Sequence, residues 1–113
     1  MGRAANSALV AAIASLAEGV NHERLLPAHH FVRNTNRGTA YEESGEDTLG
    51  LADLDQAIRL DEKFARAYAV RGVISLKRRQ DAAAQQDFAK AFQLDPALHG
   101  EFDPIIKQLR ERQ

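Results

Sequence analysis

The sequence has 113 residues, enough to bury one core and too few for two. With 15 basic against 16 acidic residues and a formal net charge of −1, it lacks the electrostatic footprint of a protein that binds nucleic acid or an anionic membrane. The absence of cysteine removes disulfides, thiol catalysis and thiolate metal sites together, while a chain rich in alanine, leucine, glutamine and arginine with only 3 prolines and 7 glycines favours helix throughout and no strand.

In chain order, the first segment is 1–26. Arg3 precedes an apolar run from Ala8 to Ala17, and Ser15 and Ala17 are small residues near a cleavage point, which is the outline of a secretory signal. Small apolar residues also suit close helix packing, so an alanine-rich structural helix accounts for the same run. The first alternative sends the protein for export; the second favours the cytoplasm. In either case the run is shorter than the roughly 20 apolar residues that span a bilayer. Asn21 to Leu26 is the connection to the next helix, which starts with Pro27 in its first turn and runs to about Ser44.

Residues 27–64 and 65–95 repeat one another. A shift of 34 positions superimposes Arg37-Gly38 on Arg71-Gly72, Asp47 on Asp81, Asp53 on Asp87, Ala57 on Ala91 and Leu60-Asp61 on Leu94-Asp95. Leu54 falls on Phe88 and Ile58 on Phe92 in the same register. Within Leu49 to Leu60, the apolar positions Gly50, Leu54, Ala57 and Ile58 recur at three- and four-residue spacing, and Ala84, Phe88, Ala91 and Phe92 repeat the layout, so each is an amphipathic helix. Gly45 supplies a helix stop, Glu46-Asp47 and Asp81 an acidic start to the next helix, with Asp81 as its cap. Each copy reads as helix, turn, helix.

The last segment, 96–113, opens with Asp95-Pro96 as N-cap and first-turn proline of one further helix. It carries Leu98, Phe102, Ile105, Ile106 and Leu109 inward and ends in a polar run, as a terminal cap of a stack requires. Pro104 inside it predicts a kink near Gly100 or a fresh start with Asp103 as cap. Six helices result.

The segments Phe31 to Phe64 and Ala65 to Leu98 resemble tetratricopeptide repeats, whose period is 34 residues. The second copy has Tyr68, Gly72, Ala84, Phe88, Ala91 and Pro96 at the motif places; the first has Gly38, Tyr41, Leu54 and Ala57, and departs with Asn34 at the opening aromatic place, Gly50 at an alanine place and Glu62 at the proline place. The resemblance implies an all-α fold, a short superhelix of helix-turn-helix units. It also implies a non-catalytic protein-protein interaction module that accepts a partner polypeptide in a concave groove lined by the first helix of each repeat. The corresponding positions are Val32, Thr35, Thr39 and Glu42 in the first copy, and Arg66, Ala69, Val73, Leu76 and Lys77 in the second. Some members clamp a partner's terminal carboxylate with paired lysine and asparagine residues; Thr35, Thr39 and Val70 stand in those places here, which argues against such a clamp. Because about three repeats are needed for stability, the flanking helices or a second copy of the chain, in a homodimer, must complete the core.

The duplicated Arg37/Asp53 and Arg71/Asp87 read as structural ion pairs, since a functional site has no need of duplication. Glu42, Glu43 and Glu46 lie about one repeat before Lys77, Arg78 and Gln80, so stacking sets an acidic patch beside a basic one: either a solvated surface or, through Lys77, Arg78 and Arg79, a meeting place for an acidic stretch of a partner. The four histidines, at 22, 29, 30 and 99, lack the i, i+4 pairing of a helical zinc site, so no metal or other cofactor is expected. No glycine-serine elbow, phosphate loop or serine-histidine spacing involving Ser7, Ser15, Ser44 or Ser75 points to catalysis.

Overall fold

The computed structural model describes residues 30 to 112. The apolar run at 8–17, the connection Asn21 to Leu26, Pro27, His22 and His29 lie outside the described residues. Within them the chain forms five α-helices and no strand: α1 (His30–Ser44), α2 (Asp47–Leu60), α3 (Ala65–Lys77), α4 (Asp81–Leu94) and α5 (His99–Glu111), the last preceded by a 3-10 turn at Pro96–Leu98. Helix α4 follows α2 by 34 residues at both ends, and α5 follows α3 by 34 at both ends. The result is an all-α, repeat-like stack in which α1 pairs with α2 and α3 with α4, and α5 opens a third pair that has no second helix among the described residues.

The turns repeat as faithfully as the helices. After α1, Glu46 N–H donates to the Tyr41 carbonyl (2.8 Å) and Gly45 N–H to that of Glu42 (3.2 Å); after α3, Gln80 N–H donates to Ser75 (2.9 Å) and Arg79 N–H to Leu76 (3.0 Å). Both are Schellman closures, which need one residue in the left-handed region. Gly45 supplies it at φ 84°, whereas in the second copy the residue is Arg79, at φ 61°. Both helix starts are acidic as expected, with Asp47 and Asp81 in the first turns, but Asp81 is not a cap: α4 begins after Gln80 without a side-chain cap bond, so Asp81 serves the helix dipole instead. Aspartates close the opposite ends. Asp61 Oδ1 accepts from Lys63 N–H (3.0 Å) and Asp95 Oδ1 from Ala97 N–H (3.1 Å), so the first copy makes the same turn without a proline. Tyr68 Oη adds a bond to the Glu62 carbonyl (2.8 Å), fastening α3 to that turn.

Close approach of the paired helices sets the rest of the packing. A Cβ at Gly72 would lie 2.8 Å from the Phe88 ring, and one at Gly38 would lie 2.9 Å from Leu54 Cγ. Gly50 stands at an alanine place because the Gly38 carbonyl (3.2 Å) and Ile74 Cδ1 (3.1 Å) occupy the space an added methyl would take. Across the same seams run two forked ion pairs, Arg37 to Asp53 (2.8 and 2.9 Å) and Arg71 to Asp87 (2.9 Å at both arms). Arg71 also donates to Asp55 (3.0 Å), linking the two pairs, and its proton is held more firmly than usual, above all by the Asp87 bond.

Helix α5 continues through Pro104 with no fresh start at Asp103; the change of helix type falls earlier, where the 3-10 turn Pro96–Leu98 gives way to the α-helix at His99, beside Gly100. The carbonyl that Pro104 leaves without its helical donor belongs to Gly100, which is exposed with nothing within 4 Å of an added Cβ, so water can reach it. Phe102 and Ile106 are buried and Leu109 half-buried, but Ile105 is exposed rather than inward, being turned about 100° from Ile106.

Two predictions follow from the seams. Phe88→Ala lowers unfolding free energy by about 3 to 5 kcal/mol, and Gly72→Ala by about 1 to 3 kcal/mol. Combining Gly72→Ala with Phe88→Leu costs less than the two losses added, because the smaller side chain vacates the methyl's place; strict additivity in urea unfolding would show the contact to be energetically idle. Asp53→Ala and Asp87→Ala each cost about 1 to 3 kcal/mol by leaving a half-buried arginine short of its partner, and unchanged melting temperatures in both would remove the structural role of the pairs.

Candidate functional site

Helices α1, α3 and α5 lie side by side, with α3 packed against both neighbours. Ion pairs between residues 35 apart tie them together. At one end of the row Lys77 Nζ donates to Glu42 Oε2 and to the Glu42 carbonyl (2.9 Å each) and lies 4.0 Å from Asp47 Oδ1. The acidic and basic patches therefore do meet. At the other end Arg66 forks onto Glu101, with one arm at 2.8 Å, and its guanidinium lies 5.5 Å above the Phe102 ring. The pairing raises the pKa of Arg66 and lowers that of Glu101, the hydrogen bond between them being the largest cause in each case. Burial, and then the Glu42 charge, raise the pKa of Glu43 beside them.

The nine residues expected to line this face divide. Val32 is exposed; Thr39, Glu42 and Arg66 are half-buried, and the Lys77 side chain lies along the surface in its ion pair. Thr35, Ala69, Val73 and Leu76 are buried, the last two at 3% and 1% exposure. Val73 and Leu76 are thus core residues instead of an exposed apolar groove. The reason lies in the position of α3, which has α1, α2, α4 and α5 around it and buries nearly every side chain it carries. What remains open on the face is polar and charged apart from Val32.

Two clefts flank the row. One, of about 380 Å³, is lined by Lys63, Phe64, Arg66, Leu94, Asp95 and Leu98 where the inter-repeat turns meet. The other, of about 260 Å³, lies between the C-terminal ends of α3 and α5 and is lined by Leu76, Lys77, Arg79, Leu109 and Arg112. Of these, Leu109 is expected from sequence as an inward residue and Arg112 is not singled out; the signal that could have found Arg112 is its place 35 residues after Lys77, which is itself 35 after Glu42.

Among the described residues, no group of three or more histidine, aspartate or glutamate side chains is arranged to hold a metal ion. His99 Nδ1 lies 3.0 Å from Asp103 Oδ1 and its ring stacks on Phe92 at 3.7 Å, so it closes the start of α5. The Ser44 hydroxyl donates to the Tyr41 carbonyl (3.0 Å) in a helix end. No helix among the described residues is long and apolar enough to cross a membrane.

Burial of Val73 reverses the effect expected of a groove residue. Val73→Glu sets an unpaired carboxylate in the core and should cost more than about 3 kcal/mol, seen as loss of cooperative unfolding; a near-parental melting temperature would return the residue to the surface. For the Arg66–Glu101 pair the folded pKa of the carboxylate is depressed, so its stabilisation is complete above the unfolded glutamate range and is lost as pH falls through the folded value. Glu101→Gln should flatten that acid limb while leaving the neutral-pH dependence alone, as thermal melts between pH 3 and pH 7 would read. No family model matches the chain, nor does any curated protein or solved structure, so a functional reading rests on the geometry of α1, α3 and α5.

Proposed function

We propose that the chain is a tetratricopeptide-type repeat protein that works without catalysis, by holding a segment of another polypeptide across α1, α3 and α5. The observation that supports this most is the recurrence of whole helices at an offset of 34 residues, α4 after α2 and α5 after α3, which sets three first helices in a row. A stack of this kind presents one continuous face from several repeats, and such faces serve as binding surfaces. With Val73 and Leu76 taken into the core, recognition falls to the exposed and edge residues of the row, among them Val32, Thr39, Arg66 and Lys77.

Affinity capture from the native host tests the reading. Val32→Glu changes an exposed position and should alter stability by no more than about 0.5 kcal/mol, yet it should weaken capture of whatever polypeptide is retained. Retention unaffected by this change and by charge reversal at Arg66 would move the site off the row.

The second reading, a self-associating structural protein, draws on α5. That helix stands where a third pair would begin, and Ile105 is exposed on it at 36%. Sedimentation at micromolar concentration separates the two: a monomer favours the partner-binding module, and a dimer dispersed by Ile105→Lys favours self-association.

A further inference from the structure

At the junction of α1 and α3 a carboxylate, Glu42, lies against the Lys77 ammonium and takes both a side-chain and a main-chain bond from it. The same place at the junction of α3 and α5 falls to Arg112, 35 residues after Lys77, so there a cation succeeds a cation. The space between them is the open cleft of about 260 Å³, with Leu76 and Leu109 as its apolar lining and Lys77, Arg79 and Arg112 as its charged lining. The charge of Lys77 is already met by Glu42 and Asp47. Neither the Arg79 nor the Arg112 guanidinium has a hydrogen-bond or ion-pair partner among the described residues, although both main-chain N–H groups are bonded within their helix ends, and Arg78, exposed, adds a further positive charge at this end.

Arg79 is set apart by a second, independent feature. It occupies the left-handed position of the Schellman turn, at φ 61°, where the first copy has Gly45. An arginine there strains the backbone, and glycine would close the same turn without strain. The strained backbone and the unpaired guanidinium thus coincide at the mouth of the cleft.

We propose that the cleft between the C-terminal ends of α3 and α5 receives an acidic-apolar segment of a partner polypeptide, one or two carboxylate side chains meeting Arg79 and Arg112 while a neighbouring aliphatic side chain rests on the half-buried Leu109. This deepens the polypeptide-holding reading above and rests on it. The incoming carboxylate repeats at the second junction what Glu42 does at the first. Guanidinium groups suit that task because their forked donors match a carboxylate's two oxygens. A short segment fits better than an extended polyanion, since the chain as a whole has a formal net charge of −1.

The test uses the full chain and a set of short synthetic peptides, acetylated and amidated at their ends so that only side chains carry charge. The set comprises glutamate-leucine, glutamine-leucine, lysine-leucine and glutamate-serine compositions, with phosphatidylserine vesicles and single-stranded DNA as other anions. The glutamate-leucine peptide should bind, weaken as salt is raised, and lose about tenfold in affinity in each of Arg79→Gly and Arg112→Gln, while the exposed Lys90→Ser on α4 leaves it unchanged. Arg79→Gly should at the same time raise the melting temperature, because it relieves the left-handed turn, so lost binding cannot be ascribed to lost folding. Equal binding of the glutamine-leucine peptide, affinity indifferent to both arginine substitutions, or stronger binding to vesicles or DNA overturns the proposal and leaves the polypeptide-holding reading standing. Binding of no peptide in the set overturns the proposal alone where capture from the host still responds to Val32→Glu, and both readings where it does not.

Discussion

Everything in this stack depends on how closely the two helices of each pair approach. Gly38 faces Leu54, and Gly72 faces Phe88, at distances that leave no room for a methyl group. At that separation the arginine one residue before each glycine can fork onto the aspartate one residue before Leu54 or Phe88, so the apolar seam and the ionic seam are set by one geometry. The helix separation also fixes what the turns must do. Each chain reversal is short, and it is closed by a left-handed residue after the first helix and by an aspartate after the second.

Pairs so formed must still bury their outer faces, and α3 shows the consequence. It is short, yet it packs against α1, α2, α4 and α5, and it reads as apolar or small around almost its whole circumference. Its charged residues are those that reach past the packing to its edges. Arg71 spans two aspartates from different pairs, Arg66 reaches Glu101, and Lys77 reaches Glu42. Exposed ion pairs contribute little stability singly, about 0 to 1 kcal/mol. Two of them join partners 35 residues apart, one between α1 and α3 and one between α3 and α5, and so hold neighbouring first helices in one stagger.

The helices and their pairing were legible because the physical cause is local and recurs. An apolar spacing of three and four residues, a small residue at a crossing and a Gly at a turn each leave a mark within a dozen positions, and a second copy makes the mark visible. What could not be read is which neighbour covers a given apolar face. Val73 and Leu76 look alike in sequence whether they line a groove or lie in the core, and only the placement of the helices around α3 decides it. The same holds for Ile105, whose chemistry matches that of Ile106 but whose direction differs by about 100°. Pro104 starts no new helix for a different cause: the damage a proline does depends on whether water can serve the carbonyl it strands, and Gly100 lies open.

The second turn illustrates how a repeat can keep its form while one position changes its residue type. Gly45 and Arg79 perform the same backbone closure, with the same two hydrogen bonds, yet arginine makes it against its own conformational preference. Strain of this sort persists where the surrounding structure over-determines the backbone, as the flanking helices and the two Schellman bonds do here. The backbone alone is fixed in this way, since the exposed side chain keeps its own rotations. Arginine at that place works against folding where glycine would not, and in the proposed docking its guanidinium supplies the contact that glycine could not make.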